Sequence, residues 1–321
     1  MSYLGIDIGT SAVRACITSG KDLHTHSTSI NRLTSPQDPR YITQSSTEIW
    51  LAIKNSLSHV IAAANQPEIV AIAVDATCSM VVMKSGKAHA CDFNQQLCDQ
   101  NIILWMDSRA HEEAGQLNQV LPESAVASVG GKFIAEMGLP KLKWLPDDVE
   151  AWELHDWVAA KFAGTTDLNK LISGQGCNKF GDGIALDGNI KGWDANILKL
   201  AGVEKKIIRG HVLPLGAPVA TVGAEIVSEF PSLSKSVIKQ GCIDCYAGWI
   251  ATKSIVKLNP RNNLFMFAGT SSGFRLPVDS DQVEQPAIDG VLGPYSLLLE
   301  GVLVYQTGQT ASGKLYEDLF N

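Results

Sequence analysis

Two short stretches of this chain share one pattern: "DIGTSAVR", from Asp7 to Arg14, and "AGTSSGF", from Ala268 to Phe274. Glycine permits a sharp strand-to-strand turn, and the Thr and Ser after it offer hydroxyls and backbone N–H groups toward one point. Such a nest binds phosphate oxygens. G-T-S occurs by chance in any hairpin, so either turn alone says little. Two of them, each closing the first strand of a meander, would face each other across a cleft and clamp the phosphates of one nucleotide. Asp7, just before the first turn, is placed to hold Mg²⁺ or a metal-bound water beside them.

A third stretch, "QGCIDCYAGWIA", sets Asp244 among small and apolar residues. A carboxylate there is costly unless it is paired or working. One working role is to accept a sugar hydroxyl proton beside a transferred phosphoryl group. Asp is also a favoured N-cap, and a cap for the helix that follows accounts for it as well. In "ILWMDSRA", Trp105, Asp107 and Arg109 alternate and share a face if the segment is extended. An indole, an acceptor and a donor fork suit a polyol. A surface Asp–Arg pair beside a core Trp fits the same residues.

These groups need a frame. "YLGIDIG" reads as a strand ending in a tight turn, "AVRACITS" as a second strand, and the alternation of "KDLHTHSTSI" as a third. His24 and His26 share a face of that third strand, which reads as exposed. Ser46 or Thr47 caps a helix in which Ile49, Ile53, Leu57, Val60, Ile61 and Ala64 recur at helical spacing. "IVAIAVDAT" is a buried central strand. The first ~80 residues are thus β-β-β-α-β. From Asn263 a second meander imitates the first, a weak internal repeat. Ala311, Leu315 and Leu319 then make one apolar helix stripe.

Composition is ordinary for a globular chain of about two domains: 321 residues, 45% hydrophobic and 18% charged. With a net charge of -7 and no Lys/Arg-rich run, nothing points to a nucleic-acid or anionic-membrane partner. No apolar run reaches the ~20 residues of a membrane span. "MSYLGIDIGT" is not a signal peptide. Seven scattered cysteines read as cytosolic free thiols, Cys242 and Cys245 included. The expected location is cytoplasmic.

The constellation resembles the FGGY carbohydrate kinases. "GIDIGTSAVRA", "AVDATCSMVVM", "LWMDSRA", "PKLKWL", "GAPVATVGAE", "GCIDCYAGWIA", "FAGTSSGF" and "TGQTASG" occur in the family's order across residues 3 to about 313. "VDAT", "VGGKFIAEMGLPKLKWL" and "DGVLGPY" are most similar to the ribulokinase-like branch. The resemblance implies an α/β chain of the actin-like ATPase (ribonuclease H-like) fold. Residues 1–255 would form a complete N-terminal lobe and residues 256–321 a partial C-terminal lobe. It implies ATP and Mg²⁺ as cofactors and a pentulose or polyol as substrate, with ribulose foremost.

Residue by residue, it makes Asp244 the general base and Asp7 the acidic residue near Mg²⁺. Thr10, Ser11 and Arg14 match the first phosphate loop, and Gly269, Thr270 and Ser271 the second. Thr77, Cys78, Trp105, Asp107 and Arg109 fall where the family lines its sugar pocket. Glu136 and Gly138 depart from the signature around "PKLKWL", Cys245 stands where related chains often carry Ala, and residues from about 145 to 200 read as shortened.

In this family the second lobe runs β-β-β-α-β-α-β, and here it reaches only the first turns of its first helix. Both phosphate loops and the base are kept, but most of the adenosine pocket is not. The expectation is a very weak kinase or none from the chain alone, completed by a C-terminal fragment or by homo-oligomerisation. A non-catalytic sugar-binding relic is the alternative. "LWMDSRA" and "GCIDCYAG" argue against an Hsp70-like or acetate-kinase-like chain, and no G-x-G-x-x-G follows the first strand as a dehydrogenase would need.

Overall fold

The computed structural model describes residues 1–165, 195–206, 213, 215–256, 263–269, 272–279, 281, 288–295, 302–309 and 312–320. The chain opens with strands β1 (Ser2–Ile8), β2 (Ala12–Ser19) and β3 (Asp22–Ser29). Two short strands, β4 (Leu33–Thr34) and β5 (Ile42–Gln44), lead into helix α1 (Ser46–Ala63). Next come β6 (Ile69–Ala76), β7 (Met80–Lys84), β8 (Lys87–Ala88) and β9 (Ile102–Ile103). Helices α2 (His111–Val120), α3 (Glu123–Ser128) and α4 (Gly138–Trp144) precede β10 (Glu150–Glu153) and α5 (Leu154–Ala163). Then follow α6 (Ala195–Ala201), β11 (Pro218–Thr221), α7 (Ala224–Glu229), β12 (Val237–Lys239), β13 (Cys242–Ile243) and α8 (Asp244–Val256). The last part carries β14 (Phe265–Ala268), β15 (Ser272–Asp279), β16 (Leu292–Tyr295), β17 (Val302–Gln309) and α9 (Gly313–Phe320).

The β-β-β-α-β reading of the first ~80 residues fits, apart from the two short strands β4 and β5. Its sheet runs β11-β12-β6-β1-β2-β3, with β13 also on β6. β1 is antiparallel to β2 and β2 to β3, while β6 runs parallel to β1, β12 and β13. The apolar run of β6 is thus central, with β1 on one side and β12 and β13 on the other. Ile69, Ile72, Val74 and Ala76 of β6 share a core with Ile49, Ile53, Leu57 and Val60 of α1 and with Trp157, Val158 and Phe162 of α5.

The cap of α1 is Ser45, one residue before the expected Ser46 or Thr47; its side chain accepts from Glu48 N. Glu48 does not close the reciprocal capping box, because its Oε1 accepts from the backbone N (3.0 Å) and Nδ2 (2.7 Å) of Asn31. His24 and His26 lie on the β3 face toward α1, and the His26 ring stacks on His59 at 3.9 Å.

The second meander does not copy the first. Its order is β14-β15-β17-β16, so β15 skips its successor. β15 and β17 pair over eight residues, Ser272↔Gln309 to Asp279↔Val302, whereas β16 meets β17 in an interrupted register. The longer ladder takes the central place. Helix α9 forms as the spacing suggests, with Leu315 and Leu319 exposed and Ala311 outside the described residues. Most of the stretch read as shortened, 166–194, also lies outside them.

Candidate active site

Three carboxylates meet at the carboxyl end of the first sheet. β1 delivers Asp7 and β6 delivers Asp75, and the two are register partners. On the other side of β6, Cys242 of β13 is the register partner of Asp75, and Asp244 begins α8 two residues later. Parallel strands send their carboxyl ends to one edge, where open α/β sheets bind ligands. Gly241 allows this approach. A Cβ there would fall 1.8 Å from Val74 O on β6, so only glycine lets the chain enter β13 against the central strand.

The carboxyl of Asp75 is pushed up to about 8. Burial is the main cause, followed by the charges of Asp7 and Asp244 and a hydrogen bond with Asp7. Asp7 is also ion-paired with Arg14, Nη1 to Oδ2 at 2.8 Å. Asp244 is the first residue of α8, and its Oδ1 accepts from the N–H of the next residue, Cys245, at 2.6 Å. Crowded hard oxygen donors that repel one another suit a divalent cation. No group of three or more acidic, His or Cys residues among those described is arranged to enclose a metal by itself. Mg²⁺ rarely needs such a cage, since it is held by one or two carboxylates with waters and substrate phosphates. Asp7 and Asp75 fit that role.

The first Gly-Thr-Ser turn joins β1 to β2, closed by Gly9 N to Ala12 O at 3.0 Å. Ser11 is exposed, and its carbonyl accepts from Ile30 N at 3.0 Å. Thr10 is tied to the sugar side: its carbonyl accepts from Gln44 Nε2 at 2.9 Å and its Oγ1 from the indole Nε1 of Trp105 at 3.0 Å. In the second turn, Gly269 accepts from Gly313 N at 3.0 Å. Thr270 and Ser271 lie outside the described residues.

Thr77 follows β6 directly, donating its N–H to Ile8 O at 2.9 Å and sharing a 2.8 Å hydroxyl contact with Ser79. Cys78 between them is half-buried. Ser79 Oγ accepts from Trp105 N at 3.1 Å. The "ILWMDSRA" segment is not extended beyond Ile103. A turn, Asp107 N to Leu104 O at 3.0 Å, breaks the expected common face. Trp105 goes toward Thr10, while Asp107 and Arg109 turn to each other. Their side chains have no exposure, and Arg109 Nε and Nη2 meet the two Asp107 oxygens at 2.9 and 2.7 Å. Arg109 is also packed against the rings of Tyr41 and Trp144 at 4.2 and 4.7 Å. Asp107 Oδ2 accepts from Ile42 N at 2.6 Å. The pair braces the loop from inside.

Sequence reasoning passed over three residues here: Asp75, Ser79 and Lys141. Lys141 on α4 is buried, and its Nζ donates to Leu104 O at 2.9 Å and Trp105 O at 3.0 Å. Burial lowers its ammonium to about 8, opposed chiefly by Asp107. A signal existed for each. Asp75 interrupts an apolar strand, Ser79 sits two residues from Thr77, and Lys141 stands inside "PKLKWL".

The family description "FGGY family of carbohydrate kinases, N-terminal domain" matches residues 2–229. The chain is 30% identical over 367 residues to D-ribulokinase YDR109C of Saccharomyces cerevisiae, covering 99% of this chain and 49% of that protein. It is 28% identical over 342 residues to protein MPA43 of the same yeast, covering 99% of this chain and 57% of that one. Xylulose kinase of Rhodospirillum rubrum superposes with a TM-score of 0.77 at 14% identity, over 99% of this chain and 62% of that chain. Glycerol kinase of Plasmodium falciparum, solved with ADP, gives 0.74 at 13% identity, over 99% and 63%. The chain spans about half the length of the curated relatives it matches. The structural likeness settles the fold as the α/β, actin-like one. With the family match over residues 2–229, laid on a sheet whose carboxyl edge gathers Asp7, Asp75 and Asp244, the chain belongs to the FGGY family of carbohydrate kinases.

Proposed function

We propose that this chain carries the sugar side, the base and the phosphate turns of an ATP-dependent kinase acting on a ketopentose, with D-ribulose the favoured substrate. The observation that carries this reading is the meeting of Asp7, Asp75 and Asp244 at one sheet edge. The 30% identity to a D-ribulokinase supports the substrate.

Asp244 takes the proton of the attacking sugar hydroxyl as its oxygen bonds to the γ-phosphorus of ATP and ADP leaves. Thr10, Ser11 and Arg14 are the phosphate-binding residues of this reading at the first turn, and Gly269, Thr270 and Ser271 at the second. Asp7 and Asp75 would hold Mg²⁺, which when bound neutralises charge on the phosphates. Thr77, Cys78 and Trp105 line the sugar side, with Asp107 and Arg109 behind them. Residues 1–255 act as the sugar-side lobe and 256–321 as the start of the nucleotide lobe, in a cytoplasmic protein. A C-terminal fragment or a second copy of the chain is the proposed partner, beside the sugar substrate.

The test is a coupled ADP-release assay with ATP-Mg²⁺ and D-ribulose, L-ribulose, D-xylulose, ribitol or glycerol. Asp244→Asn is the control. The expected result is sugar-dependent turnover that is very weak with the chain alone, rises when the C-terminal half of a relative is added in trans, and is abolished by Asp244→Asn. Sugar binding with no ADP release under either condition would favour a non-catalytic sugar-binding protein.

A further inference from the structure

Arg275 lies on β15, just beyond the second phosphate turn, and its side chain is among the most deeply buried in the molecule. Nη1 donates to Cys245 O at 2.6 Å, and Nη2 donates to Cys245 Sγ at 2.7 Å. The guanidinium lies between the rings of Tyr246 and Phe267, 4.3 and 4.5 Å from their centres. Its Nε is buried with no hydrogen-bond partner among the described residues.

A buried guanidinium with an unmet donor costs stability, and its neighbours on the same face of β15, Gly273 and Pro277, are small or apolar. What the arginine supplies is direction. Its planar fork fixes one carbonyl and one sulfur at once, which an apolar side chain cannot do. Both lie on the residue after Asp244. Tyr246 is held from the same sheet, its hydroxyl donating to Gln306 Oε1 of β17 at 2.9 Å.

The grip begins at the turn itself. Phe267 is two residues before Gly269 and is the register partner of Gly273. A Cβ on Gly273 would fall 2.4 Å from the Phe267 ring, so the glycine lets this ring lie across its own hairpin. The stack Phe267–Arg275–Tyr246 therefore runs from the β14–β15 hairpin to the first turn of α8. We propose that Arg275 is a positioning residue that locks Asp244 to the hairpin bearing the second phosphate turn, so that base and phosphate site move as one body. The inference rests on the kinase reading for its consequence and on the contacts alone for the lock.

Arg275→Lys and Arg275→Met in the full chain test it. Lys keeps the charge and loses the fork; Met keeps most of the length and loses both. Hydrogen exchange of the 244–248 amides should rise about tenfold in Arg275→Met and less in Arg275→Lys, with the β1 and β6 amides unchanged. In the assay above, kcat should fall at least about tenfold, with KM for the sugar within about twofold. Unchanged exchange at 244–248 overturns the lock, as does exchange raised equally through the first sheet. A purely structural role would raise exchange through the first sheet and raise KM for the sugar together with the loss of kcat. If the wild-type chain shows no turnover even when complemented, the kinase reading fails and the exchange comparison alone decides for or against Arg275.

Discussion

The indole of Trp105 donates to the hydroxyl of Thr10 at 3.0 Å, joining the sugar-side loop to the first phosphate turn. The backbone N–H of the same residue is held by Ser79. One tryptophan thus ties two halves of the site together.

Trp105→Phe keeps the ring and removes that donor. The expected cost is about 1 kcal/mol of stability, the net worth of one hydrogen bond. KM for ATP should rise more than kcat falls, because Thr10 loses its anchor. Urea denaturation and steady-state kinetics check both, and an unchanged KM would disconnect Trp105 from the phosphate turn.

Asp107 and Arg109 form a fully buried, bidentate pair. Arg109→Leu leaves the Asp107 carboxylate buried and unpaired, with an expected loss of about 3–5 kcal/mol. Asp107→Asn should lose less, since the amide oxygen still accepts. If instead Asp107→Asn keeps full stability and loses sugar affinity by calorimetry, the pair opens to the substrate.

Lys141 adds a pH signature. Its folded pKa is about 8, against 10.5 for an ordinary lysine. Between these values the unfolded chain holds more protons, so stability from this group rises with pH across that window. Below about pH 8 the cost of burying the charge is present in full. The difference in urea midpoint between wild type and Lys141→Met should therefore shift in favour of wild type from pH 8 to 10.

Asp75 has the opposite slope. Its folded pKa of about 8 lies above the ordinary 3.8, so between them the folded chain holds more protons. Stability from this group falls as pH rises from about 4 to 8. Without divalent cation, Asp75→Asn should melt higher than wild type at pH 8 and lose that advantage near pH 4. With Mg²⁺ the order at pH 8 should narrow, because the cation then stabilises only the wild-type carboxylate.

Gly241→Ala places a methyl group on Val74 O and should push β13 away from β6, with severe destabilisation or no soluble protein. Gly248→Ala, in the same α8 region, meets nothing within 4 Å. It should be neutral or add up to about 1 kcal/mol of helix stability. Thermal melts of the two variants separate the effect of position from that of residue type.

The sequence by itself determined the frame. The apolar run of β6, the alternation of β1 and β2 and the stripe of α1 are local periodicities, and the burial they call for is the burial found; β3 differs, because the His24 and His26 face that reads as exposed lies against α1. It also marked Asp7 and Asp244, because a carboxylate at the end of an apolar strand is conspicuous without any partner. Tertiary structure decided what those residues face. That Asp75 joins them depends on the pairing of β6 with both β1 and β13, a contact between segments more than 60 and 160 residues apart. That Asp107 and Arg109 close on each other depends on a turn at Leu104, which the alternation of residue types hides. Lys141 and Arg275 look like surface charges in the sequence. Only packing shows that each is buried, Lys141 with its ammonium on the carbonyls of Leu104 and Trp105 and Arg275 with its fork on the carbonyl and sulfur of Cys245, since desolvation and direction are properties of the assembled neighbourhood and not of the residue.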